Sequence, residues 1–78
     1  MIQELDTVVL KHDVPEHGLK RVDVGAVVHR YADQEAFEVE FVTAQGKTVT
    51  VLTLTKDEIR PMGHSEIFHV RELAPPLA

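Results

Sequence analysis

The chain has 78 residues and a mass of 8.8 kDa, enough for one small domain, and its 44% hydrophobic and 27% charged residues are those of a globular rather than a disordered chain. It has no cysteine, so neither disulfides nor a thiolate-held metal stabilises it. Its longest apolar runs are three residues, too short to cross a membrane, and it lacks the apolar stretch of an export signal, so the expectation is a soluble cytoplasmic protein.

Leu5 to Leu10 (LDTVVL), rich in β-branched and apolar residues, reads as a first strand. Lys11 to Asp23 carries Pro15, Gly18 and mostly polar residues and reads as a long loop. Val24 to Tyr31 (VGAVVHRY) is a second strand, in which Gly25 marks a bulge or a close approach of backbone. After a tight connection over Ala32 to Glu35, the segment Ala36 to Val42 (AFEVEFV) alternates strictly. Phe37, Val39 and Phe41 lie on one face of this strand, Glu38 and Glu40 on the other. Thr43 to Gly46 turns the chain, and Lys47 to Leu54 (KTVTVLTL) returns as its hairpin partner. Val49 and Val51 share one phase of that strand and Leu52 and Leu54 the other. Either both faces are buried or a bulge near Val51 and Leu52 resets the register, and the small size favours the bulge.

Thr55 and Glu58 have the spacing of a capping box, while Pro61 limits the helix to one turn. A short extended piece follows over Ile59 to Met62. Ile67 to Leu73 (IFHVREL) fits a closing strand by the β-propensity of Phe68 and Val70, or a short helix by the spacing of Ile67, Val70, Leu73 and Ala74; the strand is preferred. The order matches an all-β, SH3-like barrel of five or six short antiparallel strands with one helical turn, spanning residues 1–73, with a Pro-rich tail over 74–78. Its core would hold Leu5 or Val8, with Val9, Leu10, Val27, Val28, Phe37, Val39, Phe41, Val49, Val51, Leu54 and Ile59. Roughly a dozen such residues is near the minimum for this size, so pairing of two copies through Ile67, Phe68, Val70 and Leu73 would be a natural supplement.

Five segments together resemble a known bacterial family: LDTVVL at residues 5–10, HGLK at 17–20, VGAVV at 24–28, FEVEF at 37–41 and Ile59-Arg60-Pro61. The family is catalogued as domain of unknown function 4926. The resemblance covers roughly residues 3–62 and rests on pattern, not on a chemical motif. It implies a short SH3-like domain. Because some members are encoded beside small toxin-like proteins, it also implies an antitoxin or immunity role. It carries over no catalytic residue. The chain departs from the family pattern at Val22-Asp23, where a glycine is expected before the strand.

Charge narrows the partners. The net of −5 falls wholly in residues 1–46, where nine acidic residues face four basic ones; residues 47–78 hold four of each. Such a field repels nucleic acid and anionic membranes and steers a basic protein partner. Asp33, Glu35, Glu38 and Glu40 place four carboxylates within eight residues, a patch suited to Lys and Arg of such a partner, a toxin among them. Glu38 and Glu40, about 7 Å apart on one strand face, have a glycosidase-like spacing, but one Tyr and no Trp leave no sugar-binding wall. His12 and His17 share a loop with Asp13 and Glu16, and His64 and His69 are also five apart; neither spacing is a zinc signature, so no metal or other cofactor is expected. Ser65 is the only serine and lies in no nucleophile elbow, and the four glycines are isolated, so no phosphate loop exists. A non-enzymatic interaction module is the expectation, with a self-associating structural or regulatory subunit as the alternative.

Overall fold

The computed structural model describes residues 2–73; the tail expected over 74–78 lies outside the described residues. Five strands form one antiparallel sheet: β1 (Thr7–Leu10), β2 (Val24–Arg30), β3 (Ala36–Val42), β4 (Thr48–Thr55) and β5 (Ile59–Pro61). Their order across the sheet is β4-β3-β2-β1-β5. The all-β class is as expected from sequence. The ladders end at β4 and β5, and those two strands do not pair with each other among the described residues, so strand pairing alone does not close the sheet into a barrel.

The strict alternation of β3 does what period-two patterning requires: Phe37, Val39 and Phe41 are buried. They pack with Val8, Leu10, Val27, Leu54 and Ile59 in a single core. Two bulges adjust the neighbours. Between β2 and β3 the register steps between Val27 and His29, leaving Val28 as an extra residue, 43% exposed and not in the core. Between β3 and β4 the pairing runs through Val39 with Leu52 and Phe41 with Thr50, then steps to Val42 with Thr48. The bulge therefore lies at Val49, near the start of β4, and not at Val51–Leu52. Leu52 and Leu54 then take the core face, Val49 packs partly against the core, and Val51 sits on the outer face, 46% exposed.

Three further differences have local causes. Leu5 precedes β1 at φ 73° and is exposed, so Val8 fills the core position. The long first loop is not wholly solvated. Pro15 opens a 3₁₀ turn over Pro15–His17, Gly18 closes it at φ 69°, and the resulting hairpin bridges Val14 to Leu19 and buries both. The helical turn thus falls here and not at Thr55–Glu58. There, one half of the capping box forms without a helix: the Glu58 carboxylate accepts the Thr55 amide at 2.8 Å, and β5 begins at once.

Ile67 to Leu73 is neither strand nor helix; its backbone joins no ladder. It is a strap fixed by side chains. The Arg60 guanidinium donates twice to the Glu66 carboxylate, at 2.7 and 2.8 Å. Arg71 donates twice to Asp23, through Nε at 2.8 Å, and again to the Gly18 carbonyl at 2.9 Å. The strap runs beside Val9, which alternation turns away from the core shared by Val8 and Leu10 but which is nevertheless buried.

Candidate functional site

The outer face of the sheet is built by register. Cross-strand pairing sets Ala26, Glu40 and Val51 in one row and His29, Glu38 and Thr53 in the next. Hydroxyl groups orient both carboxylates. Tyr31, just past β2, donates its hydroxyl to Glu38 Oε1 at 2.9 Å, and the Thr53 hydroxyl donates to the same oxygen. Thr48 donates to Glu40 Oε2 at 2.7 Å. The Thr53 and Tyr31 hydroxyls hold Glu38 below the ordinary carboxylate range, and Glu38 in turn pushes the Tyr31 phenol up. His29 stands edge-on to the Tyr31 ring, centroids 4.8 Å apart, with Nδ1 3.8 Å from Glu4. Val51, Val28 and Tyr31 give this acidic face an exposed apolar component.

The four carboxylates read as one patch therefore separate into two pairs. Glu38 and Glu40 share the sheet face and are half-buried, not fully solvent-facing. Asp33 and Glu35 lie in the β2–β3 turn. The Asp33 carboxylate accepts the Glu35 amide at 2.9 Å, which with Gln34 at φ 59° shapes the hairpin, and Glu35 is paired with Lys56 at 3.2 Å. Neither Glu38 nor Glu40 belongs to an ion pair among the described residues. Tyr31, Thr48 and Thr53 are the members that sequence reading missed. For Thr48 and Thr53 the signal was the set of threonines at 48, 50, 53 and 55 on the strand facing the glutamates, and the displaced bulge hid which threonine meets which glutamate.

Two further features flank the core. On the β1 side, a groove of about 460 Å³ lies between the strap and the wall formed by Val9, Val22, Val24 and Met62. Ile67, Phe68 and Val70 project from the strap at 90%, 66% and 90% exposure, whereas Leu73 is half-buried and lies against Gly18. Burial pushes the Asp23 carboxyl up, but hydrogen bonds from Arg71 and from the Lys20 amide outweigh it and hold it below the ordinary range. Away from the strap, His12 joins the first loop to the β4–β5 turn. Its ring nitrogens meet the Asp13 carbonyl at 2.8 Å and Glu58 Oε2 at 3.1 Å, and these contacts, the carbonyl first, raise its pKa. His17 lies in the same loop; His64 and Ser65 form an exposed turn. Among the described residues no three His, Asp or Glu side chains converge on a metal-sized site, and no helix is long and apolar enough to cross a membrane.

The strands that carry these features, from before β1 to the end of β5, are matched as a unit: a family model described as "Domain of unknown function (DUF4926)" covers residues 4–61. The chain belongs to this family. The match takes in the whole acidic face and stops at the end of β5, before the strap. No curated protein and no solved structure matches the chain.

Proposed function

We propose that this member of the DUF4926 family is a non-enzymatic binding module whose acidic outer face docks a basic protein, as an antitoxin or immunity protein docks its toxin. One observation carries the reading. Glu38 and Glu40 stand side by side on a rigid strand, oriented by hydroxyl donors, with lone pairs left for the guanidinium or ammonium groups of a partner. Hydroxyls orient a carboxylate without neutralising it, so the face keeps its charge. Lys56 already pairs with Glu35, which favours the sheet over the hairpin tip as the docking centre. The mechanism is occlusion: Arg and Lys that a toxin would turn toward nucleic acid are engaged by Glu38 and Glu40, while Val51 and Tyr31 bury against the apolar stems of those side chains.

The test uses Glu38→Gln together with Glu40→Gln, which removes two charges but keeps side-chain size and hydrogen-bond acceptors. The intact chain is expected to retain a basic polypeptide from native cells. Calorimetry on that purified partner should show affinity falling about tenfold or more in the double variant and falling with added salt. Affinity indifferent to both the charges and the salt would refute the docking face.

A further inference from the structure

Residues outside the acidic face point to a second surface. The strap is not a loose tail. Glu66 is gripped by Arg60 and accepts the Gly63 amide as well, and five residues later Arg71 is gripped by Asp23 and reaches the Gly18 carbonyl. Bidentate guanidinium–carboxylate pairs fix geometry as well as charge, and the Arg71–Asp23 pair is largely shielded, at 23% and 14% side-chain exposure. Between the two clamps the chain holds three large apolar side chains in water. They line, with Val9, Val22, Val24 and Met62, the 460 Å³ groove, which lies within the size range of binding pockets. Val22 on its wall adds a separate observation. It is β-branched, yet held at φ 72°, in the left-handed region that favours glycine. The valine sets its side chain on the groove wall at the expense of backbone strain.

We propose that the strap and groove form a self-association surface, in which two copies dock face to face and each seats its Phe68 ring in the other's groove. A two-fold contact requires knob and hole on the same patch, and this patch has both. Charge selects the same occupant. The acidic excess lies in residues 1–46, and copies meeting through the sheet face would oppose like charges. The groove wall of Val9, Val22, Val24 and Met62 is apolar, and the charged groups that bracket the strap, Arg60 with Glu66 and Arg71 with Asp23, are paired within each copy, so this patch sets no like charges against each other. The two surfaces are separate, so a self-associated pair leaves both acidic faces open.

The experiment is sedimentation equilibrium of the whole chain over a wide concentration range. It is joined to NMR on a mixture of ¹³C-labelled and unlabelled copies, which sees contacts only between molecules. The expected result is a reversible dimer with a dissociation constant of roughly micromolar order, as befits a small interface, and cross-copy contacts from the Phe68 ring to the methyl groups of Val9 and Val22. Phe68→Glu is expected to raise the dissociation constant at least about tenfold. Should that variant lose its far-UV circular dichroism, Val70→Ser, at a still more exposed position, replaces it and should weaken pairing in the same direction. A chain that stays monomeric to about millimolar concentration overturns the proposal. So does a dimer unmoved by these substitutions, or one whose cross-copy contacts lie elsewhere. Because Glu38→Gln and Glu40→Gln should leave the dimer intact, failure here is distinguishable from failure of the acidic docking face.

Discussion

Gly25 offers the sharpest test of how this small sheet is packed. It pairs with Val8 of β1 while its α-carbon presses on β3. A β-carbon added there would lie 2.6 Å from Val39 Cγ1, 2.9 Å from Phe41 Cε1 and 3.0 Å from the Glu40 carbonyl oxygen. Comfortable contact between carbons is about 3.5–4.0 Å, so all three neighbours must yield. Val39 is fully buried and Phe41 nearly so, and the Glu40 oxygen belongs to the backbone of a central strand, so none has room to move freely. Overpacking of this kind costs about 1–3 kcal/mol, and the backbone contact argues for the upper part of that range. Removing the conformational freedom of glycine returns about 0.5–1 kcal/mol. Gly25→Ala should therefore destabilise the fold by about 2 kcal/mol. At about 4–8 °C per kcal/mol for a domain this small, that is a fall in Tm of about 8–16 °C. Urea unfolding followed by circular dichroism measures it. Val39→Ala removes the methyl group at the shortest contact, so the double variant should be more stable than the sum of the two single losses by about 1 kcal/mol. A Gly25→Ala protein as stable as the parent, or strictly additive effects, would show that the close approach of β2 and β3 does not constrain this position.

Two other outcomes follow from the strap and its surroundings. Relief of the left-handed strain at Val22, about 1–2 kcal/mol, exceeds the entropic cost of glycine, about 0.5–1 kcal/mol, so Val22→Gly should raise stability slightly in thermal denaturation while weakening self-association; lower stability would refute the strain. The Arg60 guanidinium and the Gly63 amide hold Glu66 down to about 2, against an ordinary value of 4.5. Because the folded value is the depressed one, the clamp is fully formed above pH 4.5 and is lost as the pH falls toward about 2. The Glu66 side-chain carboxyl carbon should titrate in that window by NMR and return toward 4.5 in Arg60→Gln, whereas an ordinary midpoint in the parent would refute the clamp.

The acidic face was legible to different depths at different residues. The period-two pattern of AFEVEFV was enough to turn Phe37, Val39 and Phe41 inward and Glu38 and Glu40 outward, because alternation is a property of any extended chain. It could not show that the Tyr31, Thr48 and Thr53 hydroxyls reach those carboxylates, because that depends on register between strands. Register depends in turn on bulges at Val28 and Val49 that no local residue announces. Gly25 carried a readable mark, and the structure chose the close approach over the bulge. Val14 and Leu19 were readable in principle, since proline and glycine bracket the turn between them, but a polar loop obscured their burial.

By itself the sequence determined an all-β domain, the location of its five strands, though not that Ile67 to Leu73 adds no sixth, and the uneven charge. These depend on the alternation, propensity and backbone freedom of neighbouring residues. Only the tertiary structure decided the ends of the sheet, the hydroxyl partners of the glutamates and the form of Ile67 to Leu73. That last segment lacks a ladder or helix of its own. Its path is set by Arg60 meeting Glu66 and Arg71 meeting Asp23, the second a pairing across 48 residues of chain that periodicity cannot encode.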